Sequence, residues 1–105
     1  GSYSYHSGVD LAVREGTEIY ASRSGYVEAA SESYYYGYYV KLDHGDGFES
    51  IYMHMQRYIV SPGEYVTQGQ VIGYVGETGW ATGPHLHITI LYNGVYMDPL
   101  DYISI

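Results

Sequence analysis

The chain has 105 residues, a formal net charge of −8 and no cysteine. That is enough for a single domain, residues 1–105, with one modest core. The acidity argues against nucleic-acid binding and against attraction to an anionic membrane or wall polymer, the missing cysteines exclude disulfides and thiolate metal ligands, and no apolar run is long enough to span a membrane. Tyrosine stands at 16 and glycine at 14. Tyrosine suits half-buried strands and glycine suits turns, so the mixture reads as all-β. Gly1-Ser2 reads as a cloning remnant.

Short apolar runs alternate with glycine-bearing turns along the chain. Val9 to Val13 alternates, with Val9, Leu11 and Val13 on one face and Asp10 on the other. Arg14-Glu15-Gly16 is a turn, Glu18 to Ala21 a strand, Ser22 to Gly25 a turn and Tyr26 to Ala30 the next strand. Tyr34-Tyr35-Tyr36-Gly37 forms a loop, Tyr38 to Asp43 a strand, and His44-Gly45-Asp46-Gly47 a hairpin turn. The returning strand, Phe48 to Met55, places Ser50, Tyr52 and His54 on one face and Ile51, Met53 and Met55 on the other. Ser61-Pro62-Gly63 turns, and Tyr65-Val66 and Val71 to Val75 flank Gln68-Gly69. Gly76 to Gly83 is a loop carrying Trp80. His85 to Tyr92 is a strand joined to Val95–Met97 through Asn93-Gly94, a strong hairpin signal. Asp98-Pro99-Leu100-Asp101-Tyr102 suits one helical turn, with Asp98 capping. The expected architecture is a compact antiparallel β-sheet or sandwich-like core with long loops at one end.

The chemistry concentrates at Gly83-Pro84-His85-Leu86-His87. In a strand, His85 and His87 project side by side while Leu86 and Ile88 face the other way. His44, beside a turn glycine, reads as a structural residue bonded to nearby backbone. In His6-Ser7-Gly8-Val9-Asp10, Gly8 lets the chain bend so that His6 and Asp10 converge. A buried, unpaired carboxylate is costly, and a metal ion removes that cost. Two histidines and one carboxylate make a sensible catalytic zinc set: His6, Asp10 and one of His85 or His87. No His-Glu-x-x-His is present, so a base comes from the two histidines left over.

With those motifs in view, the chain resembles the M23 (LytM/lysostaphin-type) zinc endopeptidases of bacterial cell walls. The resemblance runs nearly end to end, through His6-Ser7-Gly8-Val9-Asp10, Gly16-Thr17, Gly25-Tyr26-Val27, Tyr36-Gly37, His44-Gly45, Tyr52-Met53-His54-Met55, Gly69-Gln70-Val71-Ile72-Gly73, Gly76-Glu77-Thr78-Gly79, Thr82-Gly83-Pro84-His85-Leu86-His87 and Asp98-Pro99. It implies that His6, Asp10 and His87 hold one zinc ion per chain and that His54 and His85 are the catalytic histidines. The implied reaction is hydrolysis of peptide bonds in peptidoglycan stems or cross-bridges by a zinc-bound water. The implied partners are peptidoglycan peptides, and the implied site of action is extracellular or in the cell envelope, with the chain a monomer.

The chain departs from the family pattern at Glu18, where proline is usual, at Tyr38, where asparagine is usual, and at Ile88, where an aromatic is usual. Only Gly1 to Tyr5 precede His6, so the N-terminal groove wall of relatives is expected to be missing. Tyr35, Tyr36, Tyr38 and Trp80 are candidates for an aromatic groove wall that stacks on substrate. Tyr20, Tyr52, Tyr74 and Tyr102 are read as strand and core residues. The alternative to an enzyme is an M23-fold adaptor, a binding module or an engineered scaffold of weak activity. With all five metal and catalytic positions filled, the enzyme is preferred.

Overall fold

A computed structural model describes residues 2–4, 8–11, 13–77 and 86–97, with the backbone alone for 2–4 and 8–11. His6, Trp80, His85 and the turn expected at Asp98–Tyr102 lie outside the described residues. Among the described residues ten strands follow in chain order: β1 (Ser2–Ser4), β2 (Gly8–Leu11), β3 (Glu18–Tyr20), β4 (Gly25–Ser33), β5 (Gly37–Gly45), β6 (Phe48–Tyr58), β7 (Tyr65–Val66), β8 (Val71–Val75), β9 (Leu86–Tyr92) and β10 (Val95–Met97). They form one antiparallel sheet in the order β1-β2-β9-β6-β5-β4-β7, with β10 on β9 and β3 on β8. Among the described residues the fold is therefore all-β, and no helix is long and apolar enough to cross a membrane.

Hairpin chemistry fixes much of this register. Asp46-Gly47 and Asn93-Gly94 both have two successive positive φ angles, 53° and 86° in the first and 50° and 81° in the second. This is the mirror-image turn whose twist matches paired strands. The first turn is tighter than the sequence suggests, because His44 and Gly45 still belong to β5. Alternation then sorts side chains to two faces. Val40 and Leu42 of β5 meet Ile88 and Ile90 of β9 in one apolar core with Ile19, Val27, Ile72 and Val75.

Strand β6 is the hub. One edge pairs with β5; the other pairs with β9 from Phe48 to Met53 and with β8 from Met55 to Tyr58. Across β5, Val40 opposes Tyr52 and Tyr38 opposes Met55, so Tyr39 alone spans both Met53 and His54. That extra residue is a bulge, and His54 sits in it with φ at 60°. Strict alternation fails here. Tyr52 and Met55 both enter the core, whereas Met53 and His54 both line a cavity on the opposite face. The expectation that His54 shares the Tyr52 face is thus corrected: the inserted residue shifts the phase of the strand by one.

Beneath the sheet, Tyr52 is fully buried and its hydroxyl accepts the Ser22 amide at 2.9 Å. It also lies 2.6 Å from Ser22 Oγ and 2.9 Å from Ser50 Oγ. Ser50 Oγ is 2.7 Å from His44 Nε2, and His44 Nδ1 is 2.9 Å from the Ser24 carbonyl. The structural reading of His44 matches this placement. Burial holds the His44 pKa below the usual histidine value, with the nearby Arg23 acting in the same direction. The sign follows: the unfolded chain takes up the proton more readily, so stability is full above about pH 6.5 and falls as pH drops toward the depressed folded value. Thermal unfolding midpoints from pH 7.5 to 5 should therefore fall more steeply in the wild type than in His44→Gln. Parallel slopes would show that His44 does not carry this dependence.

Candidate active site

The bulge and strand β9 bring two imidazoles together. His54 is 8% exposed and His87 is 7% exposed, and their ring centroids are 6.4 Å apart with the planes at 79°. Both line a cavity of about 410 Å3 with Tyr35, Tyr36, Met53, Thr89 and Tyr96. His87 reaches it because Leu86, Ile88 and Ile90 take the core face of β9, leaving His87 and Thr89 the other.

The sheet register adds Asp10. It is the cross-strand partner of His87 from β2, and Met53 is the partner of His87 from β6. Directly opposed residues are the closest pairs across antiparallel strands. Asp10, His87 and Met53 thus occupy one row across three strands, and His54 follows Met53 through the bulge.

His54 is held on both sides through its backbone. Its amide donates to the Tyr36 carbonyl at 2.7 Å, and its carbonyl accepts the Gly76 amide at 3.1 Å. Tyr36 belongs to the turn joining β4 to β5, where its own amide donates to Ser33 Oγ at 2.9 Å. The cavity wall at Tyr36 is therefore tied directly to the histidine on the floor.

The aromatic wall divides. Tyr35 and Tyr36 line the cavity, Tyr35 being paired edge-on with Tyr34 at 5.2 Å and Tyr36 with Tyr39 at 5.5 Å. Tyr38 does not line it. Its half-buried ring packs on the core and meets Tyr58 edge-on at 6.1 Å, because the residue opposite Met55 shares the core face. Met53, Thr89 and Tyr96 line the cavity beyond the residues expected from the sequence. Thr89 stands two residues after His87, and the Asn93-Gly94 turn pairs Tyr96 with Leu91, two residues further along the same face. Both signals were present in the strand period and the turn type.

The lysine on this face is held by neighbouring carboxylates. Lys41 opposes Ile51, which opposes Thr89. Its ammonium lies 3.0 Å from Glu28 and 3.4 Å from Glu49, and the hydrogen bond to Glu28 raises its pKa. The lysine is thereby committed to two carboxylates rather than offered to a ligand. Partly exposed surface pairs of this kind contribute only about 0–1 kcal/mol.

Residues 4–99 match the model of peptidase family M23. The peptidoglycan DD-endopeptidase ShyC of Vibrio cholerae is 42% identical over 99 residues, covering 94% of this chain and 23% of ShyC. The chain thus spans about a quarter of that relative's length. A crystal structure of a Pseudomonas aeruginosa peptidase M23 superposes with a TM-score of 0.94 at 41% identity, covering 98% of this chain and 45% of that one. A zinc-containing peptidase from Vibrio cholerae superposes with a TM-score of 0.86 at 33% identity, covering 89% of this chain and 29% of that one. A family match across nearly the whole chain, joined to the same antiparallel sheet in solved relatives, places it without ambiguity: the chain belongs to peptidase family M23.

Proposed function

We propose that this domain is a zinc-dependent endopeptidase that hydrolyses peptide bonds in peptidoglycan stems or cross-bridges at the cell envelope or outside the cell. The observation that carries the reading is the meeting of His54 and His87 at one cavity, with Asp10 opposite His87 in the sheet register. Relatives support the substrate class: ShyC is a peptidoglycan DD-endopeptidase.

The donor chemistry fits zinc. One imidazole and one carboxylate on opposed register positions are ligand types zinc takes readily, and His6 in the sequence completes a set of three. His6, Asp10 and His87 are the proposed ligands. Zinc held there supplies Lewis acidity, lowering the pKa of a water and polarising a carbonyl.

The remaining work falls to the chain's own groups. A scissile amide held between His54 and His87, whose rings are 6.4 Å apart, would lie within reach of the His54 imidazole. A neutral imidazole takes the proton from the attacking water and returns it to the leaving amine, and an imidazolium steadies the developing negative charge. His85 is proposed to share these roles with His54. Tyr35, Tyr36 and Tyr96 offer aromatic faces to the flanking peptide, and the burial of both imidazoles limits bulk water around them.

The test is incubation with purified peptidoglycan, with and without 1,10-phenanthroline, and detection of new amino termini by mass spectrometry. Cleavage that the chelator abolishes and zinc restores is expected. Cleavage untouched by chelator would overturn the zinc mechanism. No new termini from a zinc-loaded domain would overturn the enzyme reading in favour of a binding module.

A further inference from the structure

We propose that Gly76 is a positioning residue, and that its close packing on β6, with the Tyr36 carbonyl opposite, holds His54 in the left-handed bulge that turns its imidazole into the cavity. The inference rests on the peptidase reading only for its kinetic consequence.

A non-glycine residue at φ 60° is disfavoured, because its Cβ crowds the backbone. Such a conformation persists where the surroundings over-determine it, and it gathers at sites where direction matters. At His54 the surroundings are explicit. The Gly76 amide holds its carbonyl at 3.1 Å, and the Tyr36 carbonyl takes its amide at 2.7 Å. Neither bond belongs to the regular pairing of β6 with β5 or β8, whose registers both shift beside His54.

Gly76 can make its bond only because it lacks a side chain. A Cβ built there would lie 2.6 Å from Gln56 Cα and 2.9 Å from the Met55 carbonyl carbon, and would also strike the Gln56 nitrogen. All three obstacles are backbone of β6, immediately after the bulge. No rotamer change relieves them; either β6 or the end of β8 must move away. Movement at Met55–Gln56 stretches the Gly76–His54 bond and lets the strand relax toward ordinary alternation. In that arrangement position 54 would turn toward the Tyr52 face and away from His87.

The sequence carries the same logic. Met53-His54-Met55 could follow strict alternation, since methionine adapts to either face. The apolar pattern of β6 does not itself select the bulge, so the selection falls to the neighbours that grip it.

The test pairs a direct reading of the bulge with kinetics, on the zinc-loaded domain. In the wild type, His54 should show the strong intraresidue amide–α-proton cross-peak of a positive φ and a protected amide. In Gly76→Ala, that cross-peak should weaken and the His54 amide should exchange on the order of tenfold faster. Peptidoglycan turnover should drop by ten- to a hundredfold in kcat with KM changed by less than about twofold, the pattern of a misdirected group. An unchanged cross-peak and exchange rate in Gly76→Ala, or faster exchange with full kcat, overturns the proposal. Should Gly76→Ala fail to fold, His54→Gly and His54→Ala test the left-handed backbone at position 54 on which the proposal stands. A left-handed position favours glycine, so His54→Gly should melt about 4 °C or more above His54→Ala. His54→Ala melting at or above His54→Gly overturns the proposal. The resonance and melting readings stand even if peptidoglycan proves not to be the substrate, so failure of the bulge and failure of the peptidase reading are told apart.

Discussion

Replacing His54 by alanine is expected to reduce peptidoglycan cleavage by roughly 10²- to 10⁴-fold, the usual contribution of a positioned acid–base group, while zinc content stays at the wild-type level. The two halves of this result follow from geometry. His54 faces His87 across 6.4 Å in the cavity, close enough to act on a reacting group between them. It lies on β6, whereas Asp10 and His87 are opposed on β2 and β9, so it stands outside the register pair proposed to bind metal. Alanine also occupies the left-handed position at a cost, as histidine does, so the bulge need not collapse when the ring is removed. Zinc measured by mass spectrometry after dialysis, together with kcat on peptidoglycan fragments, checks both halves. Turnover within threefold of the wild type would remove His54 from the chemistry. Loss of zinc together with activity would make it a ligand instead.

Much of this arrangement could be read from the residues. The Asn93-Gly94 turn fixes the β9–β10 register, and the run Leu86-His87-Ile88-Thr89-Ile90 assigns its two faces by simple alternation. His-x-x-x-Asp, Tyr-x-His and Gly-Pro-His-Leu-His in that order carry the family. What could not be read depends on partners distant in sequence. The bulge at Met53–His54 exists because Tyr39 alone spans two residues of β6, a count that belongs to the pairing and not to either strand. Alternation of Ile51, Met53 and Met55 disguised it, since all three are apolar and buried. Tyr38 takes the core face for a related reason. A run of tyrosines gives no contrast between faces, so its placement waits on knowing that residue 38 opposes the core residue Met55. His6, Trp80 and His85 lie outside the described residues, and their roles rest on the sequence motifs.

His87→Ala should have the complementary effect, abolishing zinc binding together with cleavage. Among the described side chains, His87 is the proposed ligand that lines the cavity, and Asp10 is its opposed neighbour in the sheet. Removing it leaves two of the three proposed protein ligands, too few for the usual catalytic zinc site. The consequence reaches stability, because a metal that binds the folded chain and not the unfolded one stabilises it by mass action. At a free zinc concentration a hundred times the dissociation constant, that contribution is about 2.7 kcal/mol. For a domain of this size, such a gain raises the unfolding midpoint by about 10–20 °C. Wild type and His54→Ala should both show the rise on adding zinc, and His87→Ala should show none. The shift also controls for packing: His87 is buried, so its truncation lowers the zinc-free midpoint as well, but only a lost ligand removes the difference between zinc-free and zinc-loaded protein. A zinc-dependent rise of wild-type size in His87→Ala would place the metal elsewhere and return His87 to the role of a buried strand residue.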